Sequence, residues 1–312
     1  MKSIKVFCPA SVANVSCGFD VLGFCLDGIG DEMKITKTAN KGLVISKITG
    51  ADLPLDPNKN VATIAASAIL KNFNLDYGFD FEIKKNIKPG SGIGSSAASA
   101  TGAVYGVNKL IGTPFKRKEL IKFALEGEKY ASKAEHADNI APALLGGFSL
   151  VRCNKTFDII KLPYPEKLYT TILHPEIELK TSHARSILKK AIPLNDVVRQ
   201  SGNLAALISA LYTNNYDLIS KSLKDYIIEP YRSKLIPEFD LLKKTALNSG
   251  ALGSGIAGSG PSIFALSKGR EIAENVGKEM KKIVSKLPIK HKVYISKINQ
   301  KGVKVIWYQW II

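Results

Sequence analysis

The sequence predicts an α+β protein, and three observations carry that prediction. Segments with apolar residues at every second position and segments with the 3.6-residue helical period follow one another without the strict alternation of a doubly wound sheet. The chain has 312 residues and 45% hydrophobic content, enough for one large core or two medium ones. Midway, Pro163 and Pro165 interrupt the pattern, and a new apolar run starts at Leu168. The chain is therefore expected to divide near 155–167, into domains 1–160 and 161–312.

Taken in order, residues 4–8 and 33–37 read as short strands, the first stopped by Pro9, and 44–49 as a third. After Asn60, the residues Val61, Ile64, Ala65, Ala68, Ile69 and Phe73 form one helical stripe. Over 79–84, Phe79, Phe81 and Ile83 alternate with Asp80, Glu82 and Lys84, the pattern of a half-buried strand. A Gly/Ser-rich segment then leads into a helix of small residues ending near 111. Further helices are expected at 116–131 and 137–145, then strands at 147–152 and 157–162. The second half reads as a strand from 168, several helices, and strands at 251–255 and 262–267. A helix over 270–287 and strands at 291–297 and 303–309 close the chain.

The net charge of +17 rests on 44 basic residues, of which only six are arginine. Scattered lysines, densest at Lys116, Arg117 and Lys118, read as a solvated surface. No basic tail or reading motif is present, so no nucleic-acid partner is expected, although a positive field would draw any anionic ligand. Cysteines 8, 17, 25 and 153 lack metal-pair spacing such as CxxC and read as reduced, packed thiols. Residues 1–16 have no signal-type apolar stretch, and no run approaches the roughly 20 apolar residues of a membrane span. The expectation is a cytoplasmic protein with no membrane partner.

Three segments carry candidate chemistry. The first is Lys88, Pro89, Gly90, Ser91, Gly92, Ile93, Gly94, Ser95, Ser96, Ala97 and Ala98. Its glycines let the backbone turn tightly and approach a ligand, and Ser95 and Ser96 open a helix whose free N–H groups and positive dipole end favour an anion. It is neither a Walker loop nor the GxGxxG of a βαβ unit, and a glycine-rich connection with a helix cap would read the same way. The second, residues 9–23, sets Asn14 and Asp20 in a turn-rich stretch, as ligand groups or as turn and cap residues. The third, residues 253–261, holds more glycine than a hairpin needs, which suits a backbone packed against something. Glu128, His136, Asp138 and Asn139 lie between them, each a surface residue if taken alone. The same holds for Arg185 and Arg232, though the arginine fork suits carboxylates and this chain uses arginine sparingly.

Together, in this order and at these distances, the three segments resemble the motifs of the GHMP kinases over nearly the whole chain. Within that superfamily the chain is most similar to the homoserine kinase family. Ala13-Asn14 with Gly18-Phe19-Asp20 resembles that family's first motif. Glu135-His136-Ala137-Asp138-Asn139-Ile140-Ala141-Pro142, followed by Gly146-Gly147, resembles a second signature. The resemblance implies a two-domain fold: an N-terminal α+β domain with a left-handed βαβ crossover, and a ferredoxin-like C-terminal domain. It implies a homodimeric kinase of threonine biosynthesis that uses ATP and Mg²⁺ to phosphorylate the small molecule L-homoserine.

Site roles follow from the same resemblance. Residues 88–98 would cradle the ATP phosphates, and Ser96 with Glu128 would hold Mg²⁺, which prefers hard oxygen ligands. Asn14 and His136 would lie near the substrate hydroxyl, and Asn139, where a mevalonate kinase carries Asp, leaves no general base to assign. Asp20 would take the substrate ammonium and Arg185 and Arg232 its carboxylate, with Thr181 completing the substrate set. Residues 253–260 would buttress the phosphate loop. Ile93 replaces the more usual Leu or Met, a volume-conserving change. Val15-Ser16-Cys17 stands where the family more often has Leu, Gly and Pro. A kinase for another alcohol is disfavoured by Asp20 with the two arginines, and a silent sensor by Ser95, Ser96 and Glu128. A nucleic-acid-binding module is the reading from a different class.

Overall fold

The computed structural model describes residues 2–132 and 136–310; Glu135, the first residue of the second signature, lies outside them. The first sheet runs β11-β1-β2-β4-β3, with β5 on the near end of β2 and β6 beyond it. Its strands are β1 (Ser3–Ala13), β2 (Leu22–Thr38), β3 (Gly42–Thr49), β4 (Gly78–Lys84), β5 (Phe148–Cys153) and β6 (Asp158–Leu162). The last member, β11 (Lys304–Gln309), pairs antiparallel with β1 and so brings the far end of the sequence back to its start. β1 does not stop at Pro9. Its register against β2 shifts between Pro9 and Ser11, a bulge at which proline is tolerated, and the strand continues to Ala13.

β3 and β4 are parallel and are joined through α1 (Val61–Leu70), a βαβ crossover. Asn60 caps α1 by accepting the Ala62 N–H at 3.0 Å. α2 (Ser95–Leu110), α3 (Leu120–Ser132) and α4 (Ile140–Leu145) complete this half. α2 is built of small residues because it lies against the sheet: a Cβ on Gly102 would sit 2.1 Å from Cys8 Sγ. That close approach fixes where the N-terminus of α2 points.

The second sheet, β10-β7-β9-β8, is antiparallel throughout, with β7 (Leu168–Pro175), β8 (Gly253–Ile256), β9 (Ile263–Lys268) and β10 (His291–Lys297). Helices α5 (Thr181–Ser186), α6 (Leu194–Thr213), α7 (Tyr216–Ser222), α8 (Glu229–Arg232) and α9 (Phe239–Asn248) separate β7 from β8, and α10 (Arg270–Val284) separates β9 from β10. This is the split β-α-β-β-α-β arrangement, with the fourth strand beside the first and the third beside the second, so the C-terminal domain is ferredoxin-like. Leu173, Ile236, Phe239, Leu242, Ile263 and Met280 form its own apolar cluster. Where the halves meet, the Gly258 N–H bonds to the Ala13 carbonyl at 3.2 Å and the Ser262 N–H to the Ser91 carbonyl at 3.3 Å. The third Gly/Ser segment is thereby tied to the other two.

Candidate active site

That seam encloses a cavity of about 1090 Å³, lined by residues of both domains. One wall is the Gly/Ser loop. Gly90, Gly92 and Gly94 adopt φ of 73°, 83° and 70°, a left-handed backbone that side chains other than hydrogen disfavour. A Cβ on Gly92 would lie 2.6 Å from the Gly260 carbonyl oxygen and 2.7 Å from that of Ala257. The segment after β8 therefore packs directly behind the loop, and Gly94 delivers the chain into the first turn of α2 at the cavity wall.

The loop residues divide into three kinds. Lys88, Pro89 and Gly90 form an exposed rim, and Lys88 Nζ reaches Glu176 Oε2 at 2.7 Å. Ser91, Gly92, Gly94, Ser95 and Ser96 line the cavity. Ser95 turns its hydroxyl inward, donating to the Ile87 carbonyl at 3.0 Å, whereas Ser96 is half-buried on the cavity wall. Ile93, Ala97 and Ala98 bury their side chains in the core, so any contact they make with a ligand is through the backbone.

The first motif lies beside the loop, with the Ser11 N–H on the Ile93 carbonyl at 3.2 Å, and its Asn14 and Asp20 line the cavity. Asn14, Val15 and Ser16 take φ of 70°, 43° and 61°, a left-handed turn closed by the Gly18 N–H on the Asn14 carbonyl at 2.8 Å. Ser16 thus adopts the conformation a glycine would favour. Asn14 uses both ends of its amide: Nδ2 donates to the Gly258 carbonyl at 2.7 Å, and Oδ1 accepts the Asp20 N–H at 3.0 Å.

Asp20 receives the Arg185 fork at 2.9 and 3.1 Å, with His136 Nε2 at 3.5 Å from Oδ2. The acid and one of the two arginines expected at opposite ends of a substrate are thus paired with each other. Arg232 is only 2% exposed; Nε donates to the Ala184 carbonyl and Nη1 to the Gly258 carbonyl, both at 3.0 Å. Burial, reinforced by the Arg185 charge, pulls its pKa down to about 10. Both guanidiniums lie over the Phe19 ring, at 5.4 and 5.2 Å from its centroid. Thr181, the first residue of α5, has Oγ1 3.2 Å from Ser259 Oγ.

Glu128 and Asp138 line the same cavity. Burial, then the nearby Asp20 and Glu128 charges, pushes the Asp138 carboxyl up to about 7. Asn139 is held by its side chain, whose Oδ1 accepts the Ser11 hydroxyl at 2.8 Å. Sequence reasoning missed three contributors. Phe19 stood inside the first motif, but nothing in the sequence shows that it supports two arginines. Asp31 and Lys85 form a buried ion pair below α2, each side chain 1% exposed, and lie 54 positions apart with no pattern linking them.

The chain matches the family model for the GHMP kinase N-terminal domain over residues 60–147 and that for the GHMP kinase C-terminal domain over 207–286. It is 44% identical to a homoserine kinase of Chlorobium phaeovibrioides, over 98% of this chain and all of that one. A homoserine kinase of Xylella fastidiosa is 34% identical over 97% of this chain and 94% of its own length. The crystal structure of homoserine kinase from Cytophaga hutchinsonii superposes with a TM-score of 0.95 at 49% identity, covering 98% of both chains. On its fold, its motifs and these relatives, the chain belongs to the homoserine kinase family of the GHMP kinases.

Proposed function

We propose that this chain transfers the γ-phosphoryl group of ATP to the hydroxyl of L-homoserine, giving O-phospho-L-homoserine and ADP in threonine biosynthesis. One observation carries the reading. A single cavity joins a helix N-terminus framed by left-handed glycines, suited to phosphates, to an Asp20–Arg185–Arg232 set suited to the two charged ends of an amino acid. The ammonium of homoserine takes the place of Arg185 at Asp20, and its carboxylate receives the freed Arg185 fork together with Arg232. The Asp20–Arg185 pair thus joins the two charges that a zwitterion would meet separately. Thr181 lies at the edge of this set, while Asn14 and His136 flank the hydroxyl.

Ser96 and Glu128 both line the cavity and offer a hydroxyl and a carboxylate, a hard-oxygen donor set that fits Mg²⁺ with water and phosphate completing its shell. The ion would neutralise charge on the phosphate oxygens. The chain's own contribution is positioning and electrostatics, as a loose phosphoryl-transfer transition state requires. The substrate oxygen forms its bond to the γ-phosphorus as the bond to ADP breaks. Asn139 carries an amide fixed on Ser11, so no general base is assigned, and the hydroxyl proton passes late to the transferred phosphoryl group.

ADP release with Mg²⁺ across homoserine, threonine, serine, mevalonate and galactose tests the reading. Selectivity for homoserine is expected. Preference for another alcohol keeps the kinase and discards the substrate pocket, and no turnover with any of them overturns the proposal. A pH–rate step near neutrality that disappears in His136→Gln would identify a base and overturn the direct transfer.

We also infer a cytoplasmic homodimer. The four cysteines are unpaired and three are buried, as in a reducing compartment, and Trp307 and Tyr308 on the edge strand β11 are 45% and 54% exposed, a surface for a second copy. Light scattering that reads one protomer's mass would overturn the dimer. No helix among the described residues is long and apolar enough to cross a membrane. The change of sheet between Leu162 and Leu168 supports a division into two domains at 163–167 and not at 160, inside β6, with β11 at 304–309 returning to the first domain's sheet.

A further inference from the structure

The Asp31–Lys85 pair lies where β2, the end of β4 and the first turn of α2 converge, and Lys85, with Ser99, forms part of the cavity lining although its side chain is only 1% exposed. A lysine ammonium has three donors. Here all are used inside the protein: one on Asp31 Oδ2, one on the Ser95 carbonyl at 3.0 Å and one on Ser99 Oγ at 3.0 Å. Asp31 is equally committed, because its other oxygen accepts the N–H groups of Asn86 at 2.7 Å and Ile87 at 2.9 Å. Ser95 closes the ring by donating to the Ile87 carbonyl at 3.0 Å. The strand that enters the Gly/Ser loop and the helix that leaves it are therefore tied to one buried pair.

Two physical arguments separate this pair from an ordinary core element. A cation at the first turn of a helix opposes the dipole, so the helix gains nothing by having it there. A buried ion pair is also no more stabilising than apolar side chains of the same volume. Stability alone gives no reason for charges at this point. Anion binding at the loop does, since it requires a fixed arrangement of backbone donors and is favoured by nearby positive charge.

We propose that Asp31 and Lys85 are positioning residues of the phosphate site, holding residues 86–99 in the shape that receives the nucleotide, with the Lys85 donors spent on the protein and not on the ligand. The proposal rests on the reading of residues 88–98 as the nucleotide loop. The decisive variant is Asp31→Asn with Lys85→Met, which removes both charges and leaves neither buried alone. Titration with a fluorescent ATP analogue and Mg²⁺ should show the dissociation constant rising by about tenfold or more, while the thermal midpoint stays within a few degrees of the unsubstituted protein. The homoserine KM at saturating ATP should stay within about twofold, because neither Asp31 nor Lys85 bonds directly to Asp20, Arg185 or Arg232.

Ser99→Ala is the milder companion, losing one Lys85 acceptor while favouring the helix, and should weaken nucleotide binding about two- to fivefold. It decides the matter alone if the double variant does not fold. Unsubstituted nucleotide affinity in Ser99→Ala or in a folded double variant overturns the proposal. So does a parallel rise in homoserine KM, which would indicate general loosening. The titration contains no acceptor, so it reads the loop, whereas homoserine turnover by the unsubstituted protein reads the acceptor assignment.

Discussion

Ser16 holds a left-handed backbone at φ 61° and buries a hydroxyl that has no partner among the described residues. The strain costs roughly 1–2 kcal/mol, more than the 0.5–1 kcal/mol of chain entropy that glycine would lose there. Ser16→Gly should therefore stabilise the protein by about 1 kcal/mol, and a lower thermal midpoint would refute the strain argument. At Arg232 the expected change lies in binding. A lysine keeps the charge but not the fork, so Arg232→Lys should weaken homoserine binding by about 1–3 kcal/mol. A KM at the unsubstituted value would remove Arg232 from the carboxylate site. Residues such as Asn14 and Asp20 were legible because they stand in a glycine-marked turn. The Asp20–Arg185 pairing was not, since a contact across 165 positions leaves no local signal.

Among the elements, Arg117 behaves unlike its neighbours. Sequence reading placed Lys116, Arg117 and Lys118 together on a solvated surface, yet the Arg117 guanidinium is enclosed by acceptors. It donates to the carbonyls of Leu144 and Val303, each at 3.1 Å, to the Lys301 carbonyl and to Tyr105 Oη, and it stacks on the Tyr105 ring. It thereby serves the orphan carbonyls at the end of α4 and ties α4 to the segment before β11. Arg117→Met should cost about 2–3 kcal/mol of stability in urea unfolding; a loss below half a kcal/mol would show the clamp to be incidental. Strongly periodic helices such as α1 and α10 were legible to within a few residues. β1 and β2 were read short because a bulge at Pro9 and Ser11, and glycines at 23, 28 and 30, break the two-residue alternation on which strand recognition depends.

For the molecule as a whole, two groups buried without charge, His174 and Asp138, give stability opposite dependences on pH. Burial lowers the His174 pKa to about 4, against an ordinary value of 6.5. The unfolded chain then binds more protons below 6.5, so His174's contribution is intact above that pH and is lost as pH falls toward 4, by about 3 kcal/mol at most. Asp138 has the opposite sign: its raised pKa makes its contribution decline as pH rises from 3.8 toward 7. His174→Gln should flatten the acid limb of stability against pH, and an unchanged slope would mean that His174 is not the group responsible. At this scale the α+β class was readable from mixed periodicities. The arrangement of the two domains came only through the family resemblance, because strand order depends on pairings that periodicity does not encode.

The return of β11 to the first sheet has a consequence for synthesis. β1 emerges first and β11 last of the described strands, yet the two are hydrogen-bonded neighbours. At about 5–20 residues per second, the ribosome leaves the outer edge of β1 unpaired for roughly fifteen seconds to a minute. During that interval the nascent N-terminal domain presents an open sheet edge, and the cavity wall that comes from the second half of the chain is still being made. The sheet that β1 opens is thus completed only when β11 has been made, and the nascent chain is exposed to edge-to-edge association until then.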